Sequence, residues 1–526
     1  MQFKVEEITS PFWAKESTQS SGRDPLAIQN SSVVIYTRMM TGITNVTNRL
    51  RYIGFFCWCF EQYLTENSGR YSHKDQFFHL RRAELLMAYL MVEHFSEELG
   101  VSGTNLARSA SGNLVDLSRG ADLDRRSDDN KMYWQFPQGI FGQYFSGVMR
   151  EFGLIRHPDD DVNLYSLTEK GIELAGLFEH AIGKQASKFF WSVVKEGHIP
   201  KVELIKLIPL SLNGIAAGSL ENTFYINMLM DQDSAMDEKC YHRRETILLL
   251  LNFVKHKSAP VMRLTKIFLA ENYYAVLSLP RQNADARSFW ALYEITEIFH
   301  LSLEHFHACL LWSLSSSPKI LTSVLGSLID KASKTWKDSG TDILSVTITD
   351  ILQNDELNTN SVHDLNHQMT ENMKERNFGE VLKFSLLSML KVLQDIRVHR
   401  SAFQELASRR EYYFNRPGNL FDLLDSVIES QLNERVSAFY ERTFLLVINM
   451  HTYSSYAKSR IGLGQAHNYM IEEDMIWSIR DTSPNRTSPR LQNTVQFMLD
   501  VGWLERNGEL INTTYSGKEQ LNIYGH

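Results

Sequence analysis

Phe152-Gly153-Leu154-Ile155 leads through an acidic turn to Leu167-Thr168-Glu169-Lys170-Gly171, and Val501-Gly502-Trp503-Leu504 leads through Asn507-Gly508 to Thr513-Thr514-Tyr515-Ser516-Gly517. Each stretch follows a predicted helix and joins two short strand-like segments across a turn. The shared order predicts that one small structure occurs twice in the chain.

The helix before the first stretch, predicted over residues 139–152, has an apolar side and a polar side. Its apolar residues recur at i, i+4, i+7 and i+11 and are predicted to pack inward: Phe141, Phe145, Val148 and Phe152. The opposite side carries Gln143, Ser146 and Arg150. A helix with a polar outer face followed by a hairpin is typical of the second half of a winged helix, whose recognition helix meets DNA.

The helix before the second stretch has the same layout. Ser488 as N-cap and Pro489 as the first helical residue give a strong start signal. The packed side is predicted to contain Leu491, Val495 and Met498, and the outward side Asn493, Gln496 and Asp500. Asn507-Gly508 then predicts a hairpin with a type I′ turn.

The fold class predicted for the whole chain is mainly α, a multidomain helical protein with two small winged-helix (α+β) modules. With 526 residues the chain is too long for one hydrophobic core, and its 43% apolar and 22% charged residues are close to globular averages. The predicted divisions are an N-terminal helical domain (1–130), a first winged helix (131–183), a central helical domain (184–435), and a C-terminal helical region with the second winged helix (436–526).

Composition and missing motifs exclude several classes of function. The net charge of −8 argues against a protein that coats nucleic acid over its whole surface, so any DNA contact must be local. No apolar run is long enough to cross a bilayer and the first residues do not resemble a signal peptide, so no membrane partner is predicted and a cytoplasmic location is expected. Phosphate-binding loops, dinucleotide fingerprints and nucleophile elbows are missing from the sequence, so we predict no cofactor and no catalytic residue.

The four cysteines, Cys57, Cys59, Cys240 and Cys309, include no CxxC pair. They are predicted to be buried thiols, and neither a zinc ribbon nor a disulfide framework can be built from them.

One polar cluster could hold a metal ion. His300, Glu304 and His307 recur at i, i+4 and i+7 and would line one face of a helix. The surrounding sequence is strongly apolar and lacks a zinc signature such as HExxH, so the favoured interpretation is a set of buried structural side chains.

Two groups of residues are candidates for contact with double-stranded DNA, because Arg and Gln read base edges and basic loops suit phosphates. The first module offers Arg125, Arg126 and Lys131 in the preceding loop, then Gln143, Ser146, Arg150 and Arg156. The second offers Arg486, Arg490 and Asn493, but acids dilute its charge. We therefore expect the first copy to contact DNA and the second to contact a partner protein.

Several stretches resemble a large prokaryotic family associated with anti-phage defence islands, whose members contain winged-helix domains. They are Ile8-Thr9-Ser10-Pro11-Phe12-Trp13, the segment from Thr41 to Tyr52, Arg416-Pro417-Gly418 and Ser488-Pro489-Arg490-Leu491. The resemblance implies a non-catalytic subunit that works beside a helicase, ATPase or nuclease.

Two hypotheses of function follow. In the first, the chain is a non-catalytic DNA-binding adaptor in a multisubunit anti-phage defence complex. In the second, it is a protein-protein scaffold whose winged helices dock partner subunits without binding DNA, since such modules serve both purposes.

Overall fold

The computed structural model describes residues 24–66, 72–95, 101–122, 137–157, 164–231, 238–278, 286–397, 399–408, 418–460 and 466–524. Helices dominate these residues, and the prediction of a mainly α chain is confirmed. Residues 8–13 of the family-like stretches and the loop residues Arg125, Arg126 and Lys131 lie outside the described ranges.

The α-helices are, in chain order, α1 (Asn30–Met39), α2 (Arg51–Glu66), α3 (His73–His94), α4 (Thr104–Ser109), α5 (Ser118–Ala121), α6 (Ser146–Glu151), α7 (Glu169–Ile182), α8 (Lys184–Glu196), α9 (Leu220–Met230), α10 (Glu238–His256), α11 (Val261–Ser278), α12 (Ala286–Ser313), α13 (Leu321–Asp338), α14 (Ile348–Leu352), α15 (Asp355–Thr359), α16 (Val362–Lys374), α17 (Phe378–Arg397), α18 (Arg400–Ser408), α19 (Leu420–Leu423), α20 (Val436–Arg460), α21 (Leu491–Asp500) and α22 (Tyr515–Tyr524). One π-helical turn, Phe141–Phe145, runs directly into α6, and a second, Leu424–Ile428, follows α19. The 3₁₀ segments are Lys201–Leu210 and Glu429–Gln431.

The strands are short and all their pairings are antiparallel. They are β1 (Leu114–Asp116), β2 (Ile155–Arg156), β3 (Ser166–Leu167), β4 (His198–Pro200), β5 (Lys319–Ile320), β6 (Tyr469–Glu472), β7 (Met475–Ser478), β8 (Leu504–Asn507) and β9 (Leu510–Thr513). β1 pairs with β4, β2 with β3 and β8 with β9, and β7 lies between β5 and β6. The single residue Ala259 also bridges to Ile511 in β9.

The chain forms two compact units, each assembled from two separate segments. The first unit comprises residues 1–36 and 269–487, and the second comprises residues 37–268 and 488–526. Both predicted modules fall in the second unit, and the predicted central domain contributes to both units.

The first unit is organised around α12, which is buried from Phe289 to Leu311. Helices α13, α17 and α20 pack around it, and α16 packs on α17. Because α12 is surrounded, its polar residues must find partners inside the protein.

The second unit is organised around α2, which is apolar on all sides and buried from Arg51 to Phe60. Trp58 packs against Phe178 of α7 and Phe190 of α8, with ring centroids 5.8 and 5.4 Å apart. Burial removes water from the thiols of Cys57 and Cys59 and raises their pKa. Cys309 of the first unit is also buried, whereas the side chain of Cys240 lies outside the described part.

The described parts of the two quoted stretches contain the same elements in the same order. We call residues 140–182 the first repeat and residues 491–524 the second repeat. Each contains a helix, two antiparallel strands and a second helix. In the first repeat the Thr168 hydroxyl donates to the Gly153 carbonyl at 2.6 Å and accepts from the Gly171 N–H at 3.2 Å.

The same bonds recur in the second repeat. The Thr514 hydroxyl donates to the Gly502 carbonyl at 2.6 Å and accepts from the Gly517 N–H at 3.1 Å. Gly153 and Gly502 both have a left-handed φ, of 69° and 80°, as expected where a helix ends in a glycine. The predicted internal duplication therefore extends to individual hydrogen bonds.

Two local predictions for the second repeat are wrong. Helix α21 begins at Leu491 after Arg490, whose φ is 64°, and Ser488 does not cap it. The Ser488 hydroxyl instead donates to Asn45 Oδ1 at 3.1 Å, which draws it away from the helix.

The hairpin turn also differs from its prediction. Asn507 pairs with Leu510, so the two turn residues are Gly508 and Glu509, and of these only Gly508 has a positive φ, of 61°. This is the φ pattern of a type II′ turn, because a type I′ turn requires a positive φ at both central residues.

Candidate nucleic-acid interface

The helix of the first repeat presents a polar face to solvent. Phe141, Phe145, Val148 and Phe152 are all buried, which confirms the predicted inward side. Gln143 and Arg150 are exposed. Ser146 is half-buried and donates to the Gly142 carbonyl at 3.1 Å, so its hydroxyl is already used inside the helix.

Arg156 on β2 adds a second exposed guanidinium beyond the end of this helix. Neither Arg150 nor Arg156 forms an ion pair within the described part of the chain. An exposed guanidinium without an ion pair can donate its five N–H groups to a ligand, and phosphate is a strong acceptor for them.

The C-terminal end of α6 is held in place by contacts with other segments of the second unit. Glu151 accepts the Gly42 N–H at 2.6 Å, and the ring of Phe152 lies where a side chain at Gly42 would be, 2.6 Å from an added Cβ. Arg243 stacks on Phe152 at 4.8 Å and donates to the Thr41 carbonyl at 2.8 Å. The polar face therefore belongs to a rigid element, which favours precise contact with a ligand.

One face of α21 in the second repeat is covered by the chain itself. Asn493 donates to the Thr44 carbonyl at 2.6 Å, and Asp500 accepts the Leu50 N–H at 2.9 Å and pairs with Arg49 at 3.1 Å. The prediction that Asn493, Gln496 and Asp500 face outward is wrong, because α21 lies along residues 44–50.

Gln496 is also engaged in hydrogen bonds within the second repeat. Its amide donates to Asp500 at 2.9 Å and its carbonyl accepts from Arg506 at 3.2 Å. Arg490 donates to the Ile43 carbonyl at 2.6 Å, so this predicted DNA-binding residue is engaged within the unit.

Arg486 belongs to the first unit, whereas both repeats belong to the second. Its guanidinium forms an ion pair with Glu294 of α12, whose other carboxylate oxygen lies 3.1 Å from His363 Nε2. Burial alone would raise the pKa of Glu294, but Arg486 and His363 outweigh it and hold the pKa at about 2. The residue is part of a buried charge network.

Two further acidic residues of α12 bond to the residues on either side of Arg486. Glu297 accepts the Thr487 N–H at 2.7 Å, and Glu304 accepts the Asn485 N–H at 2.9 Å. Backbone N–H groups and Arg486 thus provide hydrogen-bond partners for the buried acids of α12.

The metal hypothesis for His300, Glu304 and His307 is not supported. His300 Nε2 lies 2.7 Å from the Gly418 carbonyl, Glu304 accepts from Gln29 at 2.7 Å, and His307 packs its ring against His451 at 4.7 Å. Across the described ranges, no group of three or more His, Cys, Asp or Glu side chains is arranged to hold a metal ion.

Glu304 makes the stability of the first unit depend on pH. Burial raises its pKa to about 8, so between about pH 4.5 and pH 8 the folded chain holds a proton that the unfolded chain has released. Relative to Glu304→Gln, the wild-type protein should lose stability as the pH rises through this window, by at most about 1.4 kcal/mol per pH unit. Urea unfolding at several pH values measures the difference.

The prediction concerns the difference in stability between wild type and Glu304→Gln, because buried histidines also titrate and add their own pH dependence to each protein. Burial lowers the pKa of His300 and His305 to about 4, and these contributions are common to both proteins. The matched control is Glu441→Gln, since Glu441 is exposed on α20. Equal pH profiles for wild type and Glu304→Gln would contradict a neutral Glu304 in the folded protein.

A basic surface in the second unit was missed by the reasoning from sequence. Lys255, Lys257, Arg263 and Lys266 are all exposed, at the end of α10 and the start of α11. The signal was present, because residues 246–270 contain no Asp or Glu.

The second unit also contains a cleft of about 690 Å³ beside the second repeat. Arg49, Asn213, Asn222, Gln496 and Arg506 contribute polar groups to its lining. Asn222 donates to the Val501 carbonyl at 3.2 Å, so part of this lining is structural.

No helix within the described ranges is both long and apolar enough to cross a membrane. Comparison of the chain with protein-family models, with curated proteins and with solved structures gives no match.

Proposed function

We propose that this chain is a non-catalytic adaptor that binds double-stranded DNA through its first repeat. The observation that carries the proposal is the difference between the two repeats. When the repeats are aligned on Gly153 and Gly502, Gln143, Arg150 and Arg156 of the first correspond to Gln492, Leu499 and Glu505 of the second, so the first repeat carries two exposed arginines where the second has none. Exposed guanidinium groups at the end of a helix suit contact with the phosphates and base edges of DNA.

A winged-helix assignment for the second repeat supports this proposal. Around the second repeat, α10, the bridging residue Ala259, α11, α21 and the β8–β9 hairpin follow the order helix, strand, helix, helix and hairpin. This is the order of elements in a winged helix, with residues 279–490 inserted between its second and third helices. In helix-turn-helix folds the last helix of the core enters the major groove.

The wider setting of the proposal comes from the family resemblance. It is a cytoplasmic anti-phage defence complex in which this chain joins DNA to a helicase, ATPase or nuclease subunit. Partner subunits would supply the catalytic chemistry.

Removing the two exposed arginines should weaken DNA binding. Arg150→Ala combined with Arg156→Ala is expected to lower affinity for a duplex by about tenfold or more, since each phosphate or base contact contributes roughly 1 kcal/mol or more. Fluorescence anisotropy at two salt concentrations measures the affinity and its salt dependence.

Arg442→Ala is the control, because Arg442 is an exposed arginine on α20 of the other unit. Arg125→Ala with Arg126→Ala tests the contribution of the preceding loop. Unchanged binding in the Arg150/Arg156 variant, or wild-type protein that shows no salt-dependent binding, would remove the proposal.

One observation favours the scaffold function as the second candidate. The 3₁₀ segment Lys201–Leu210 exposes Val202, Ile205 and Ile208, with 80%, 58% and 37% of each side chain accessible. Residues three apart align in a 3₁₀ helix, so these side chains form one apolar ridge. Co-purification of neighbouring gene products in the absence of nucleic acid, lost on Val202→Ser with Ile205→Ser, would support a scaffold.

A further inference from the structure

The corner between α10 and α11 is firmly attached to the hairpin of the second repeat. Ile511 donates its N–H to the Ala259 carbonyl at 3.2 Å, and the Ser258 hydroxyl donates to the Ile511 carbonyl at 3.0 Å. Helix α11 then starts at Val261, and the Leu264 N–H bonds to the Pro260 carbonyl at 2.8 Å. The corner therefore has a fixed shape.

Exposed positive charge is concentrated at this corner. Lys255, Lys257, Arg263 and Lys266 are exposed within a span of twelve residues, and the nearest acids in sequence are Glu245 and Glu271. Lys255, Arg263 and Lys266 form no ion pair within the part of the chain that the structure describes. Such a concentration is unusual in a chain whose net charge is −8.

The arrangement of these charges suits a row of phosphates. Arg263 and Lys266 are three residues apart and share one face of α11. Arg263 also lies in the first turn of an 18-residue helix, where the helix dipole adds partial positive charge. Lys255 and Lys257 extend the charge from the other side of the Ser258–Pro260 corner.

The surroundings of the corner favour backbone contact over base reading. Gln492 is the nearby polar side chain of α21, and it contacts Met262 Sδ at 2.9 Å. The next face of α21 is bonded to residues 44–50, as described above. Lysines act as point charges toward phosphates and carry little sequence information.

We infer that the surface formed by Lys255, Lys257, Arg263 and Lys266 binds the phosphate backbone of double-stranded DNA without reading its sequence. The inference rests on the proposed DNA-binding function and adds a second contact surface to it. The first repeat would then supply specific contacts, and this corner would supply salt-dependent affinity.

The test compares two charge-reversal variants with the same change in net charge. Lys255→Glu with Lys266→Glu alters the corner, and Lys184→Glu with Lys188→Glu alters exposed lysines of α8 in the same unit. Anisotropy titrations use two duplexes of unrelated sequence over a range of salt. The corner variant should bind both duplexes at least about tenfold more weakly, with a salt slope reduced by about 1 per lysine, and the control should stay within about twofold of wild type.

The outcomes separate the two proposals. If Arg150→Ala with Arg156→Ala weakens binding while the corner variant matches the α8 control, the inference is overturned and the proposed function stands. If wild-type protein shows no salt-dependent DNA binding, the proposed function fails and the inference fails with it. If the corner variant loses binding to phosphatidylserine vesicles and keeps its DNA affinity, the surface is a membrane contact and the inference is overturned. Both variants change exposed side chains, so equal unfolding curves will confirm that they fold.

Discussion

Arg51→Met is expected to lower the free energy of unfolding of the second unit by about 3–5 kcal/mol at neutral pH, because it leaves a buried carboxylate without its partner. Arg51 and Glu221 are almost completely buried and bond through two N–H···O contacts of 3.0 and 3.1 Å. Arg51 also donates to the Pro209 and Ser211 carbonyls at 2.9 and 2.6 Å. Urea unfolding measures the loss.

The effect of this substitution should depend on pH. Burial raises the pKa of Glu221, and Arg51 works against that rise. Without Arg51 the folded-state pKa rises further above the unfolded value, so the variant is less destabilised in acid and becomes worse as the pH increases through the new pKa. The loss at about pH 7 should therefore exceed the loss at about pH 5.

A double variant distinguishes charge burial from a packing defect. Arg51→Met with Glu221→Leu removes both charges, and a buried ion pair replaced by apolar residues is often neutral in stability. The double variant should recover most of the lost stability. A double variant as unstable as Arg51→Met would show that the guanidinium acts mainly by packing, for example against Phe178, 5.0 Å away.

Gly171→Ala is expected to destabilise the second unit by about 1–3 kcal/mol or more, because the new methyl group overpacks the junction of helix and hairpin. A Cβ at this position would lie 2.1 Å from the Leu154 carbonyl oxygen, which accepts the Thr168 N–H at 3.0 Å. Backbone cannot move aside as a flexible side chain can. Thermal or urea unfolding measures the effect.

Gly176→Ala is the matched control in the same helix. A Cβ at Gly176 meets no atom within 4 Å, so this substitution should stabilise α7 by about 0.5–1 kcal/mol. The second repeat offers a parallel test, since a Cβ at Gly517 would lie 2.3 Å from the Trp503 carbonyl oxygen. If Gly171→Ala and Gly176→Ala shift stability in the same direction, the proposed close approach is not what selects glycine at position 171.

Local sequence was sufficient to predict much of the two repeats. The spacing of Phe141, Phe145, Val148 and Phe152 determines which side of a helix is apolar, and all four are buried. The strands around Asn507-Gly508 also occur as predicted. These features depend on residues only a few positions apart.

The neighbours of the second repeat could not be predicted in this way. Periodicity identifies the polar side of α21, but it does not determine whether water or another segment covers that side. The covering residues, 44–50, are some 450 positions away from Asp500 in the sequence. Ser488 does not cap α21 because its hydroxyl bonds to Asn45 of the same distant segment. Long-range contacts override local preference here.

For the candidate interface, sequence reasoning selected Arg150 and Arg156, which are exposed, but also Arg486 and Arg490, which the fold uses internally. An arginine has the same local sequence pattern whether its guanidinium contacts DNA or forms an ion pair with a buried carboxylate such as Glu294. The acid-free run of residues 246–270 was a better indicator of exposed charge, because no acid nearby could neutralise it.

The assembly of the second unit from two segments has a consequence for its biosynthesis. Ala259 and residues 44–50 leave the ribosome early, but their partners Ile511, Asn493 and Asp500 follow only after residues 269–487 have been made. At about 5–20 residues per second, the delay is on the order of ten to fifty seconds between Ala259 and Ile511, and on the order of twenty to ninety seconds between residues 44–50 and their partners. Throughout these intervals the nascent chain holds an unpaired strand position and an uncovered loop, so the second unit is completed only after the segment from Ser488 onward has been made, and chaperones have that long to act on it.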